Sequence, residues 1–188
     1  MKKIILKSTV ILFALALTAF TASEKKQVNI DQSIINWIGY KVTGQHEGTI
    51  TLREGVLEFN ENQLTGGKFV IDMTSINTTD LEGDYKTKLD GHLKANDFFG
   101  VKNHPKATLV FSSVTKNESN YSIIGDLTIK GITNKISFDM VVSNNTATTK
   151  LKVDRTKYGI KYGSASFFDG LKNKAIYDEF DLNVSLKF

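Results

Sequence analysis

The last nine residues read Phe180-Asp181-Leu182-Asn183-Val184-Ser185-Leu186-Lys187-Phe188. Every second residue is apolar and every residue between is polar. An extended chain points successive side chains to opposite faces, so this order gives one oily face and one wet face. The same period of two returns upstream. Tyr121, Ile123, Leu127 and Ile129 oppose Ser122, Asp126, Thr128 and Lys130, and Ile136, Phe138, Met140 and Val142 oppose Lys135, Ser137, Asp139 and Ser143. Leu151 and Val153 alternate with Lys150, Lys152 and Asp154; Phe69, Ile71 and Met73 with Lys68, Asp72 and Thr74; Ile50 and Leu52 with Thr49, Thr51 and Arg53.

Turn-forming residues punctuate these runs at Asn60-Glu61-Asn62, Asn117 to Asn120, Thr133-Asn134 and Asn144-Asn145. Short connections make successive strands antiparallel neighbours. Candidate runs begin near Ser33, Glu47, Val56, Leu64, Lys106, Asn120, Lys135, Ala147 and Asp178. That is one more than an eight-stranded barrel requires, and the short runs flanking Glu54-Gly55 are readable as one kinked strand. The single proline, Pro105, leaves the rest of the chain free for uninterrupted strands.

One stretch departs from the pattern. From Thr79 to Lys94, Leu81, Tyr85, Leu89 and Leu93 recur every fourth residue, the spacing of one helix face. Thr79 and Glu82 have capping-box spacing, and Gly83 and Gly91 weaken the helix. The expectation is an all-β protein with a short helix insert near 79–99, ending in Phe98-Phe99 and covering one end of a barrel.

The first 23 residues have the layout of a secretory signal peptide: Lys2, Lys3 and Lys7, an apolar run from Val10 to Leu17, then small residues to Ser23. The apolar run is shorter than the roughly 20 residues a spanning helix needs. Cleavage there leaves one domain, residues 24–188, in the periplasm. It removes three lysines and no acid, so the net charge of +4 falls to +1, which gives no electrostatic case for nucleic acid. With no cysteine in the chain, the core alone must stabilise the fold, and a domain of this size suffices.

Enzyme signatures are missing from the sequence. The histidines are His46, His92 and His104, without HxH or HExxH spacing. There is no cysteine nucleophile, no G-x-S-x-G elbow and no phosphate loop. His92 and His104 flank the helix exit near Asp97 and could meet in the fold, yet no convergent catalytic set is evident. The expectation is a non-enzyme. An outer-membrane barrel is a sharper rival, because such barrels also alternate and the chain ends in Phe188; there the apolar faces would point outward. A structural barrel without ligand is a third reading.

Several segments taken in order carry a family resemblance. After Ile30-Asp31-Gln32-Ser33 and Trp37 come Gly48 to Gly55 and Gly66-Gly67-Lys68-Phe69-Val70-Ile71-Asp72-Met73. Then follow His92-Leu93-Lys94-Ala95-Asn96-Asp97-Phe98-Phe99 with His104-Pro105-Lys106-Ala107, the hairpin Gly125-Asp126-Leu127-Thr128-Ile129-Lys130-Gly131-Ile132-Thr133, and Asp154-Arg155-Thr156-Lys157-Tyr158-Gly159-Ile160. Together they resemble the YceI-like family of secreted lipid-binding proteins. Gly100 and His104 depart from the residues common there.

The resemblance implies a lipocalin-like antiparallel eight-stranded β-barrel with an apolar interior that binds a polyisoprenoid, isoprenoid quinone or similar amphiphile. It also implies no cofactor, no stable membrane insertion and a possible homodimer. On that reading the ligand contacts come from the inward faces: Trp37, Ile50, Phe69, Ile71, Met73, Leu109, Phe111, Ile123, Leu127, Phe138, Met140, Leu182 and Val184, with Phe98 and Phe99 at the covered end. An eight-stranded barrel encloses just enough space for its own side chains or one slender ligand, so alternation alone does not separate a packed core from a channel. Arg155 is open to two roles, a polar contact beside a ligand head group or a structural ion pair.

Overall fold

The alternation at the C-terminus becomes the strand Ile176–Lys187, and its apolar face turns inward to meet seven others. The computed structural model describes residues 23–188, so the expected leader lies outside the described residues except for Ser23. The elements are β1 (Glu24–Gln27), β2 (Asn29–Lys41), β3 (Gly44–Asn60), β4 (Gln63–Thr78), α1 (Gly83–Lys94), β5 (Lys106–Lys116), β6 (Tyr121–Ile129), β7 (Ile132–Ser143), β8 (Thr146–Asp154) and β9 (Ile176–Lys187). Each strand from β2 onward pairs antiparallel with the next, and β9 returns to β2. Eight strands therefore close into a barrel, and closure leaves no long free edge.

The kink at Glu54-Gly55 is a bulge. The pairing of β3 with β4 slips between Leu52 and Glu54, and the buried positions change from Gly48 and Leu52 to Gly55, Leu57 and Phe59. An extra residue in one strand reverses which parity faces the core, so one strand reads as two runs. A second irregularity sits in β4. The Thr74 N–H donates to Asp72 Oδ1 (2.9 Å), the Thr51 N–H donates to Ser75 Oγ (2.9 Å), and Ser75 Oγ donates to the Asp72 carbonyl (2.6 Å). Side chains here take the place of ladder bonds.

Three expectations are corrected. The first run begins at Glu24, not near Ser33, because β1 pairs with the far end of β3, from Glu24 opposite Phe59 to Gln27 opposite Val56. The alternation is disguised there because Lys26 fills a half-buried position, its ammonium 5.1 Å from the Phe59 ring and 5.7 Å from the Phe188 ring. The turn expected at Thr133-Asn134 lies at Lys130-Gly131, where both residues have positive φ (51° and 76°), the requirement of a two-residue type I′ hairpin. Thr133 sits in β7, opposite Thr128. The helix starts at Gly83 rather than Thr79, and no side chain caps it. Thr79 is held on β3, its N–H donating to the Glu47 carbonyl (3.0 Å), and Asp80 accepts from the Glu47 N–H (3.2 Å) and bonds His46 Nδ1 (2.8 Å).

Polar contacts anchor α1 to β4. Lys86 Nζ donates to Asn77 Oδ1 (2.6 Å), the Thr78 carbonyl (2.8 Å) and Asp90 Oδ2 (2.7 Å), while Asp90 Oδ1 accepts from the Thr78 N–H (2.8 Å). Its apolar stripe is only partly used, since Tyr85 is 75% exposed.

The two ends of the barrel differ. At one end stand the short turns 61–62, 117–120 and 144–145, and beneath them Val28, Leu57, Phe59, Leu64, Tyr121, Ile123 and Ala147 form a packed plug. Phe59 lies against Phe188 with ring centres 5.4 Å apart. At the other end stand the long connections 79–105 and 155–175. The apolar faces point inward throughout, the reverse of a barrel whose outer wall meets lipid. Among the described residues, no helix is long and apolar enough to cross a membrane.

Candidate ligand cavity

Between the plug and the long connections the barrel is hollow. The cavity has a volume of about 170 Å³. Strand by strand, it is lined by Trp37 of β2, Ile50 of β3, Phe69, Ile71 and Met73 of β4, Leu109 and Phe111 of β5 and Leu127 of β6. Phe138 and Met140 of β7, Leu182 and Val184 of β9, and Phe98 and Phe99 from the segment after α1 complete this set. Of the residues expected inside, only Ile123 stands apart. It is 1% exposed and belongs to the plug, nearer the short-turn end than Leu127 on the same face of β6.

Glycines make room for the aromatic lining. Gly48 lies opposite Trp37, and a Cβ there would stand 2.5 Å from the indole and 2.1 Å from the Asn77 carbonyl oxygen. The indole N–H donates to the Thr49 carbonyl (3.2 Å), so Trp37 presents an apolar surface with its polar atom satisfied. Gly67 plays the same part for Phe111, whose ring lies 2.8 Å from the Cβ position. Phe111 in turn packs against Phe69 and Phe138 at 5.4 and 5.9 Å between ring centres.

Several lining residues escaped the sequence reading. Leu151, Val153 and Phe180 line the cavity, and their alternation was signal enough to include them. Leu93 contributes from the last turn of α1. Thr149 carried no apolar signal, yet it faces the cavity and its hydroxyl donates to the Asp139 carbonyl (2.6 Å). Beside it the wall is thinner, because β7 and β8 pair only from Met140–Ser143 to Thr146–Thr149.

Polar lining groups concentrate at the long-connection end: Tyr40, Arg155, Tyr177 and Glu179. Tyr177 is 54% exposed, which identifies this end as the mouth. Gly39 also lines it, and a Cβ built there meets nothing within 4 Å.

Arg155 lines the cavity at its mouth end and is anchored to the backbone there. It is 2% exposed, and three of its N–H groups are engaged: Nε donates to the Tyr177 carbonyl (3.0 Å), Nη1 to the Ile160 carbonyl (2.8 Å) and Nη2 to the Ile176 carbonyl (3.0 Å). Asp178 lies 3.8 Å away, and the Phe98 ring lies 5.5 Å from the guanidinium carbon. Burial pulls Arg155 below its ordinary pKa, opposed by the charges of Asp178 and Asp154. Its neighbour Asp154 caps the following turn, accepting from the Thr156 N–H (2.9 Å) and hydroxyl (2.6 Å). Arg155 therefore ties β8 to the start of β9 and the 155–160 turn through three backbone carbonyls. Burial also pushes the Tyr158 hydroxyl up to about 12, so it is neutral at any ordinary pH.

The histidines are dispersed. His92 stacks edge-on against Tyr162 (4.5 Å) and Phe98 (5.1 Å), His46 bonds Asp80, and His104 lies against Gly100. Among the described residues, no three His, Cys, Asp or Glu side chains are grouped to hold a metal ion.

The YceI-like domain profile matches residues 23–188. A UPF0312 protein of Staphylococcus aureus (strain bovine RF122 / ET3-1) is 41% identical over 87 residues, covering 40% of this chain and 48% of the relative. The match thus spans about half the length of that relative. Among solved structures, Burkholderia cenocepacia BcnA superposes with a TM-score of 0.68 at 21% identity, covering 85% of this chain and 98% of that one. A polyisoprenoid binding domain from Saccharophagus degradans, implicated in plant cell wall breakdown, superposes with a TM-score of 0.57 at 14% identity, covering 85% and 95%. At these identities the structural likeness speaks to the fold.

Proposed function

The chain belongs to the YceI-like domain family, and from that membership and the hollow interior we propose that it holds a long apolar lipid, a polyisoprenoid or similar amphiphile, as a periplasmic carrier, store or stress-related lipid-binding protein. The observation that carries the reading is the cavity itself: about 170 Å³, walled by aliphatic and aromatic side chains, with polar groups only towards its mouth and at Thr149. A water-sized sphere takes roughly 10–15 Å³ by this measure, so the space accepts about a dozen. Water placed there would find few hydrogen-bond partners, whereas a prenyl chain needs none. A dozen CH₂-sized groups at about 0.8 kcal/mol each give roughly 10 kcal/mol before ordering costs. That margin supports firm retention without specific polar contacts, and it tolerates chains of different length. The proposal assigns the protein no cofactor and no catalytic step; the lipid is cargo. The periplasmic setting rests on the leader layout of residues 1–23.

Two measurements test it. Organic extraction of protein purified without detergent, followed by mass spectrometry, should yield a reproducible prenyl or fatty species. The chain has one tryptophan, Trp37 in the cavity wall, so energy transfer from it to a dansyl-labelled prenyl alcohol reports occupancy directly. Saturable transfer at a ratio of one to one supports the proposal; its absence in delipidated, folded protein overturns it.

A further inference from the structure

Tyr85, Tyr162, Phe167, Phe168 and Tyr177 are the exposed aromatic residues among the described residues, and all five stand at the mouth end. Tyr85 is on α1, Tyr177 begins β9, and the other three lie in the 155–175 connection. The opposite end is capped by asparagine-rich turns. Scattered single apolar residues on a surface need no explanation; rings confined to the rim of an apolar cavity do.

The 155–175 connection holds its rings on a fixed base. Ser164 is 0% exposed, and its carbonyl accepts from the Phe167 N–H (3.2 Å) and the Phe168 N–H (3.0 Å). The Ile176 N–H donates to the Gly163 carbonyl (2.8 Å), and Ser166 Oγ donates to Asp178 Oδ2 (2.6 Å). The segment is thus bonded to the first residues of β9, which line the cavity. Phe167 and Phe168 nevertheless remain 47% and 50% exposed. The same connection is basic: Lys157, Lys161, Lys172 and Lys174 are exposed, against Asp169 as its one acid. Lys161 Nζ lies 4.4 Å from the centre of the Phe167 ring. Aromatic rings set among lysines have the make-up of a surface that seats at the headgroup level of a bilayer, with rings in the acyl boundary and ammonium groups on anionic phosphates.

We infer that the mouth of the barrel docks on an anionic lipid bilayer through Phe167 and Phe168, with Lys172 and Lys174 on the headgroups, so that a lipid passes between membrane and cavity without crossing water. The inference rests on the carrier reading and gives it a direction: loading and delivery occur at a membrane face, mouth down.

The test is co-sedimentation of the protein with vesicles of phosphatidylcholine alone and of phosphatidylcholine mixed with phosphatidylglycerol. Wild type should bind the mixed vesicles more tightly, and added salt should weaken that binding. Phe167→Ser with Phe168→Ser should weaken binding to mixed vesicles roughly thirtyfold, from the loss of two half-buried rings. Lys172→Glu with Lys174→Glu should abolish the preference for anionic vesicles, each lysine near such a surface being worth roughly a fivefold change. Trp37 energy transfer to the dansyl-prenyl probe should be unchanged in both double variants. If wild type binds neither vesicle while Trp37 still reports the probe, the docking surface is refuted and the carrier reading stands. If vesicle binding persists and Trp37 never reports the probe, the carrier reading is refuted instead. Membrane binding untouched by both double variants would also overturn the assignment.

Discussion

Two glycines on the inner face of the β2–β3 hairpin should respond oppositely to a side chain. Gly39 lines the cavity at its mouth, has open space beyond 4 Å around a built Cβ, and has no positive φ. Gly39→Phe should therefore fold, and its ring should occupy the mouth. If the ring excludes about one five-carbon prenyl unit, the ligand loses roughly 3–4 kcal/mol at about 0.8 kcal/mol per CH₂. That corresponds to about a few hundred-fold in Kd. Stability should hold or rise, because the ring fills empty space. Gly48→Ala, by contrast, drives a methyl to 2.1 Å from the Asn77 carbonyl oxygen and 2.5 Å from Trp37, and overpacking of this kind costs about 1–3 kcal/mol. Trp37 energy transfer measures the first effect and thermal unfolding by circular dichroism the second. A Gly39→Phe protein with an unchanged melting temperature and unchanged probe affinity would refute the claim that ligand occupies this space.

Three further outcomes follow from the same geometry. Ile123→Ala, in the plug, should destabilise by about 2–5 kcal/mol yet leave probe affinity within about twofold, as read by urea unfolding beside Trp37 titration; a large loss of affinity at intact fold would place Ile123 in the ligand site. Arg155→Met leaves three carbonyls without their donor and Asp178 without its neighbouring cation and should cost about 3–5 kcal/mol in chemical denaturation; full stability would show those contacts to be dispensable. Asp181 and Asp72 are held below the ordinary aspartate value, chiefly by hydrogen bonds from Lys152 and from Thr74 respectively. A depressed folded-state pKa contributes stability above the unfolded value that is lost as pH falls through the folded one. The melting temperature should therefore drop below about pH 4, less steeply in Asp181→Asn; equal melting at about pH 3 and about pH 7 would contradict this.

The fold was legible because one physical rule, inside against outside on a pleated chain, acts at every residue of a strand. The inward face of β9 can be read from five letters. Reading failed where another interaction supplied what the rule expects of an apolar side chain. Lys26 lays its stem against Phe59 and Phe188 and hides β1. The bulge at Leu52–Glu54 makes one strand look like two. Backbone bonds from Thr79 to Glu47 keep the helix from starting where its capping letters stand. The role of Arg155 depends on carbonyls brought from β9 and the 155–160 turn, and no local pattern announces those.

The division of the barrel into a solid end and a hollow end is itself a consequence of residue size along each strand. Towards the short turns, Leu57, Phe59, Leu64, Tyr121 and Ile123 belong to one buried cluster that closes the interior. Towards the mouth, the inward positions include Gly39 and Ala107, which are too small to reach the centre. A core that only needed stability would fill both levels, since interiors favour close packing and voids forfeit contacts. Filling them should stabilise the empty protein while weakening the bound state. Gly39→Leu with Ala107→Leu should raise the melting temperature and lower prenyl affinity together. A rise in both would mean that the hollow is a packing defect and the ligand lies elsewhere.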